Sequence, residues 1–74
     1  MPSRTARFID ALQKGSDGTV TAWSEGKKVR AVYRRDKHIN TFRIAKSVIE
    51  QAKFSPEFIA AEVLSKLTAV PKKE

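Results

Sequence analysis

The residues of this chain with the clearest chemical capability are the cations of one short segment. Positions 27–46 of the 74 residues hold eight lysines and arginines against one acid, Asp36. The charges of residues 1–26 and of residues 47–74 each cancel, so this basic segment carries the whole net charge of +7. Such a concentration attracts polyanions, although a charge of this size also serves solubility alone. The sequence therefore predicts nucleic acid, either DNA or RNA, as the partner. The candidate phosphate contacts are Lys27, Lys28, Arg30, Arg34, Arg35, Lys37, Arg43 and Lys46.

The single tryptophan, Trp23, precedes this basic segment. In the hairpin predicted below, it lies beside Lys28, with Arg30 one residue pair further on. An aromatic ring among cations can stack on a base or a sugar while the cations contact phosphate. The alternative, which its size favours, is that Trp23 packs in the core or is shielded by the stems of Lys28 and Arg30. Trp23 therefore joins the candidate nucleic-acid contacts, with core packing as the competing interpretation.

Residue types that carry catalysis are scarce. The chain has no cysteine, one histidine (His38) and three glycines, which leaves no thiol nucleophile, no metal-ligand spacing and no glycine-rich phosphate loop. The carboxylates show no pairing of the kind used in acid–base catalysis. We therefore expect a protein that is not an enzyme and has no cofactor, no metal and no small-molecule substrate.

The elements that must position the candidate residues follow from capping residues and from hydrophobic periodicity. Ser3 as a cap and Gly15 as a stop predict a helix over residues 4–14. β-Branched and aromatic residues predict a strand over 19–23, and alternation predicts the return strand over 28–34.

A two-residue turn at Glu25-Gly26 would pair Trp23 with Lys28 and Ala22 with Val29. One face of the hairpin is then apolar and should meet the helices; it holds Val20, Ala22, Val29, Ala31 and Tyr33. The other face is mostly polar and holds Thr19, Thr21, Trp23, Lys28, Arg30, Val32 and Arg34. A slip by one residue would exchange the two faces and bury cations, so the assignment of faces is well determined.

The second half of the chain is predicted to be helical after a charged connector at 34–37. Residues 38–42 fit either a short third strand or the approach to a helix over 41–53. Ser55 followed by Pro56 predicts a further helix that ends near Leu67. The fold class is therefore α+β: a small single domain, helix–β-hairpin–helix–helix, with an antiparallel hairpin packed on helices. We expect an ordered core over 3–68 and a flexible tail over 69–74.

The helix over 41–53 would place Arg43 and Lys46 three residues apart on one helical surface, near its N-terminus. Backbone N–H groups at a helix start favour anions. A phosphate could therefore be held between the connector at 34–37 and this helix start. The alternative is an ordinary exposed surface with weak ion pairs, such as Lys46 with Glu50 four residues later.

Two known DNA-binding motifs are alternatives to this arrangement. In a helix-turn-helix, residues 56–62 would open the recognition helix, but they contain two acids and no base. In a ribbon-helix-helix, residues 38–43 would be the ribbon and the last two helices the dimer core. The helix–hairpin–helix outline and the turn at residues 25–29 are also similar to small phage head–tail joining proteins, but this turn pattern occurs in many hairpins and identifies no family.

A second class of function is a protein–protein interaction module, such as a modulator of a larger enzyme or a phage or virion assembly component. It would use the basic segment against an acidic protein, or the apolar side of the last helix for a protein partner or a homodimer. The candidate self-association residues are Ile59, Val63 and Leu67. The alternative, which we favour, is that this apolar side closes the core.

Hydropathy argues against a membrane partner. The longest apolar run, 58–61, is four residues, whereas a membrane span needs about 20. The first seven residues also lack the apolar region of a secretion signal. We therefore expect a cytoplasmic, intracellular protein.

Overall fold

The N-terminal helix begins and ends close to the predicted positions. In the computed structural model, which describes residues 3–68, α1 spans Arg4–Gly15. The hydroxyl of Ser3 accepts a hydrogen bond from the backbone N–H of Ala6, which caps the first turn. Phe8 and Leu12 are fully buried on one side of this helix.

The first hairpin has the predicted faces but a different register. Strands β1 (Val20–Glu25) and β2 (Lys28–Arg35) are antiparallel, and Glu25 pairs with Lys28 across a Gly26-Lys27 turn. Gly26 supplies the positive φ of this turn, 62°. The expected pairing of Trp23 with Lys28 is therefore wrong by two residues, because the turn lies one residue later than predicted. Since side chains alternate with a period of two, the shift leaves every side chain on its expected face. The apolar face is confirmed as buried: Val20, Ala22, Val29, Ala31 and Tyr33.

A third strand, β3 (His38–Ala45), follows the hairpin. It pairs with β2 along its whole length, which makes β2 the central strand of a sheet in the order β1-β2-β3. Residues 34 and 35 of the connector thus belong to β2, and residues 36 and 37 form the turn to β3. Asp36 has a φ of 53° in this turn, a conformation that Asp tolerates better than most residues. The helix expected over 41–53 is wrong at its start, because residues 41–45 satisfy the second edge of β2 and direct Phe42 and Ile44 toward the core.

The remaining helical residues form two helices on one side of the sheet. Helix α2 spans Lys46–Gln51 and α3 spans Pro56–Leu67, as predicted for the last helix. Ser55 caps α3 through its hydroxyl, which accepts from the backbone N–H of Phe58. The expected flexible tail, 69–74, lies outside the described residues. The α+β fold class is confirmed, with a three-stranded sheet in place of a two-stranded hairpin.

The core lies between the inner face of the sheet and the helices. Polar contacts also join the start of α1 to the α2–α3 region: Arg4 donates to the carbonyls of Ile49, Ala52 and Phe54. Within residues 3–68, no helix combines the length and the apolar character that crossing a membrane would require. The two-layer arrangement leaves the other face of the sheet to carry the candidate site.

Candidate nucleic-acid interface

The outer face of the sheet is the side directed away from the helices. Residues that pair directly across strands share a face, so the register determines its members. Strand β1 contributes Thr21, Trp23 and Glu25; β2 contributes Lys28, Arg30, Val32 and Arg34; β3 contributes Ile39, Thr41, Arg43 and Ala45. All of these residues are exposed or half-buried. The buried positions that alternate with them on β1 and β2 are Val20, Ala22, Val29, Ala31 and Tyr33.

The centre of the outer face is a row of three side chains, one from each strand. Trp23 pairs with Arg30, and Arg30 pairs with Arg43. The guanidinium carbon of Arg30 lies 6.0 Å from the centre of the Trp23 ring, within reach of a cation–π interaction. Trp23 is 36% exposed and is not a core residue, so the core-packing interpretation is replaced by partial shielding by Arg30. The row places one guanidinium group over an exposed aromatic ring and a second arginine on the next strand.

Glu25 interacts with two members of this neighbourhood. Its carboxylate oxygen Oε2 lies 3.5 Å from Nη1 of Arg30, and the indole Nε1 of Trp23 donates to the same oxygen at 3.4 Å. Nε of Arg30 is buried without a hydrogen-bond partner in the described structure. Arg30 is therefore held in place by a carboxylate and an aromatic ring while one of its donors is unsatisfied.

One end of the outer face carries three lysines near the first turn. The backbone N–H of Lys46 donates to the carbonyl of Lys27 at 2.9 Å, which joins the start of α2 to the β1–β2 turn. Lys28 pairs with Ala45, next to Lys46. These lysines line a shallow depression of about 420 Å³. Arg43 was expected to share a helical surface with Lys46, but it lies on β3.

The other end of the sheet is a two-stranded extension, residues 34–39, which we call the arm. Strand β1 pairs with β2 only as far as Tyr33, so residues 34–39 lie beyond β1. Every residue of the arm is exposed. Arg34 and Ile39 face the outer side, Arg35 pairs with His38 on the opposite side, and Lys37 lies in the turn.

The two basic ends are far apart. Arg35 is seven positions after Lys28 on β2, and at about 3.3 Å per residue the two residues are about 23 Å apart. The expected phosphate site between the connector and the start of the second helix is therefore wrong, because these two segments lie at opposite ends of the sheet. The structure instead distributes the cations along a line that follows β2.

Most of this positive charge is not neutralised locally. Within residues 3–68, the ion pairs join Arg7 to Glu57, Lys14 to Asp10 and Arg30 to Glu25. Of the eight candidate phosphate contacts, therefore, Arg30 alone has an ion-pair partner in the described part of the chain. The other seven are oriented by the backbone while their charges remain open to solvent or a ligand.

Two carboxylates of the helical layer, Glu50 and Glu57, have pKa values lowered by their hydrogen-bond donors. The Thr5 hydroxyl, and then its backbone N–H, donate to Glu50 and hold the pKa of that carboxyl below its usual value. Arg7 donates to both oxygens of Glu57 and lowers the pKa of that group in the same way. These carboxylates stabilise contacts between helices. Among residues 3–68, no three His, Asp or Glu side chains lie together as a metal site would need.

The residues proposed for self-association do not form a free surface. Val63 and Leu67 are buried in the chain's own core, and Ile59 is half-buried against it. This burial agrees with the favoured interpretation that the apolar side of the last helix closes the core, because α3 packs that side over α1. The exposed apolar feature of this region is instead the ring pair Phe54–Phe58, with centroids 4.9 Å apart.

The two alternative DNA-binding motifs are also not the arrangement found. Helix α2 has six residues, and α2 and α3 each pack against α1 with few contacts to each other, unlike the two helices of a helix-turn-helix. Strand β3 already pairs with β2 of the same chain, unlike a ribbon that pairs with a second copy.

The positions of Ile39 and Thr41 on the outer face were not predicted from the sequence, and Arg43 was expected on a helix. A signal for them was present: Asn40, Phe42 and Ile44 alternate with these three residues with a period of two. Apolar residues at helical spacing from Ala45 onward favoured a helix and outweighed this alternation. No protein-family model, no curated protein and no solved structure matches this chain.

Proposed function

We propose that this chain is a non-enzymatic, cytoplasmic nucleic-acid-binding protein with an accessory or regulatory role. The observation that carries the proposal is the outer face itself, which brings Lys28, Arg30, Arg34 and Arg43 to one surface beside the exposed ring of Trp23. The cations contact phosphates, and the ring contacts a base or a sugar.

Charge and shape both support this assignment. The outer face carries four cations and one acid, Glu25, and its side chains stand on three adjacent strands held by continuous pairing. The backbone of this array is already ordered, so a ligand has to immobilise its side chains alone. Lys27, Lys46, Arg35 and Lys37 flank the face at its two ends and extend the positive surface beyond it.

The electrostatic mechanism has a measurable magnitude. Four phosphate contacts, at about −0.9 each for duplex DNA, give a slope of about −3.6 for log K against log salt. Affinity then falls about 150-fold when the salt concentration is raised fourfold. A generic basic protein also shows salt dependence, so the test needs a control with the same net charge.

The experiment compares two double variants in binding to labelled duplex DNA, single-stranded DNA and RNA by fluorescence anisotropy. Arg34→Gln/Arg43→Gln removes two outer-face cations that make no ion pair within residues 3–68. Lys53→Gln/Lys66→Gln removes two exposed cations from the helical side of the protein. Both variants lose two charges, so they have the same net charge and differ in where the charge is removed and in whether arginine or lysine is replaced.

We expect the outer-face variant to bind more weakly, with a slope shallower by about 1.8, and the helical-side variant to keep the wild-type slope. Equal losses of affinity in both variants would mean that binding depends on net charge and not on the outer face. An affinity independent of salt would contradict phosphate binding altogether. The preferred ligand among the three would identify the class of nucleic acid.

The second candidate function is a protein–protein interaction module, and one observation favours it. Phe54 and Phe58 stack against each other on the surface of the α2–α3 region, although aromatic side chains are usually covered. Under this alternative, Phe54→Ser would abolish a stoichiometric protein complex, whereas Arg34→Gln/Arg43→Gln would leave it unchanged. Sedimentation of wild type and both variants distinguishes the two functions.

A further inference from the structure

The arm is a two-stranded ribbon whose two faces differ in chemistry. Arg34 and Ile39 pair directly across its strands and both belong to the outer face. Ile39 is 60% exposed, and it is placed beside a guanidinium group at the end of the molecule where the sheet is narrowest. Single exposed aliphatic residues are common on protein surfaces. The feature that distinguishes Ile39 is its fixed position next to a cation that makes no ion pair within residues 3–68.

A two-stranded ribbon matches one groove of duplex DNA. Its strands lie about 4.8 Å apart, and the major groove, about 12 Å wide, admits a ribbon together with its side chains. Directly paired side chains have Cβ atoms about 5 Å apart, so the long Arg34 and the shorter Ile39 reach adjacent base pairs, which are about 3.4 Å apart.

The two side chains match two features of the major-groove edge. Arginine donates two hydrogen bonds to O6 and N7 of guanine, and an aliphatic group contacts the C5-methyl of thymine. We propose that the arm enters the major groove of duplex DNA, with Arg34 at a base edge or phosphate and Ile39 against a thymine methyl. This inference rests on the proposed function and adds the class of ligand and a residue that reads the base.

The same geometry disfavours RNA. The major groove of an A-form RNA helix is deep and narrow, and uracil lacks the methyl group that Ile39 would contact. Single strands are bound mainly by stacking on several aromatic rings, whereas the outer face carries one, Trp23. Of the remaining arm cations, Arg35 lies on the face opposite Arg34, and Lys37 lies in the turn. The phosphates that flank the contacted base pairs would pass these positions.

The test removes the methyl group from the DNA and the aliphatic group from the protein. A labelled duplex of alternating A and T presents thymine methyls in every binding register, and the same duplex with uracil in place of thymine lacks them. Affinities are measured at one low salt concentration for wild type, Ile39→Ala and Val48→Ala. Val48 is an exposed aliphatic residue of similar accessibility (54%) on α2, so its variant controls for loss of surface apolar area. Thermal unfolding confirms that each variant is folded.

We expect wild type and Val48→Ala to bind the uracil duplex about fourfold more weakly per contacted methyl, and Ile39→Ala to bind both duplexes equally. Equal binding of the two duplexes by wild type would overturn the inference, as would an unchanged preference in Ile39→Ala. Tighter binding of single strands or of duplex RNA by wild type would also overturn it while leaving the proposed function intact. Failure to bind any nucleic acid would overturn both.

Discussion

Substitution of Glu25 by Gln tests how the centre of the outer face is tuned. Glu25 forms an ion pair with Arg30 and accepts a hydrogen bond from the indole of Trp23, so a negative group lies against Arg30 when no ligand is bound. A phosphate that approaches Arg30 must therefore compete with this carboxylate. The substituted glutamine keeps the size of the side chain and its acceptor oxygen but removes the charge, so the competition becomes weaker and binding becomes tighter.

The magnitude follows from the exposure of the pair. The side chains of Arg30 and Glu25 are 32% and 52% exposed, and their closest atoms are 3.5 Å apart. An ion pair in such a setting contributes about 0.2–1 kcal/mol, which corresponds to a gain in affinity of up to about fivefold. Glu25→Gln also raises the net charge by one, which strengthens binding to any polyanion.

The matched control is Glu62→Gln, which makes the same charge change at an exposed position on α3. Dissociation constants come from anisotropy titrations with labelled DNA. The emission of Trp23, the one tryptophan, reports the local change without a label. We expect Glu25→Gln to bind more tightly than Glu62→Gln, and the emission of the free protein to change in Glu25→Gln alone. Equal affinities in the two variants would refute the competition, and weaker binding by Glu25→Gln would show that Glu25 instead orients Arg30 for the ligand.

Three further predictions concern stability. Phe8→Ala removes a fully buried ring and should lower the free energy of unfolding by about 3–5 kcal/mol, measured by urea denaturation; a loss below about 1 kcal/mol would contradict its central place in the core. Glu50 has a lowered pKa, so its contact with Thr5 stabilises the fold above the usual carboxyl pKa and is lost as the pH falls through the lowered value. The difference in Tm between wild type and Glu50→Gln should therefore shrink from pH 7 to pH 3, and a constant difference would assign the effect to shape alone. In Gly26→Ala, the added methyl group meets no atom within 4 Å, but residue 26 must still adopt a φ of 62°. The substitution should therefore lower the free energy of unfolding by about 1–2 kcal/mol in the same urea assay. An unchanged free energy would mean that the turn rearranges.

Several elements were predictable because their signals are local. Ser3 and Ser55 cap the helices that they were expected to cap, since an N-cap depends on a hydroxyl and a backbone N–H three residues away. The inner face of the first hairpin was also predictable, because alternation survives a register error of two residues. Neither signal requires knowledge of the rest of the fold.

The second half of the sheet was not predictable by the same means. Residues 38–42 were ambiguous between strand and helix, and residues 43–45 were expected to be helical. The conformation of all of them depends on β2, which offers them a second edge for backbone pairing. Propensity is a weak signal when such a tertiary partner is available. As part of β3, Arg43 lies on the outer face of the sheet, whereas Lys46 lies at the start of α2.

The amino-acid sequence by itself determined that positive charge is concentrated at 27–46, and that the hairpin has one apolar and one polar face, because charge and alternation are properties of the chain. The tertiary structure alone decided which cations share a surface. Pairing of β3 with β2 sets Arg43 beside Arg30 and Ile39 beside Arg34, and the length of β1 leaves the arm as a two-stranded ribbon. The physical reason is that neighbours across a sheet are set by register between distant segments, and spacing along one segment does not encode that register.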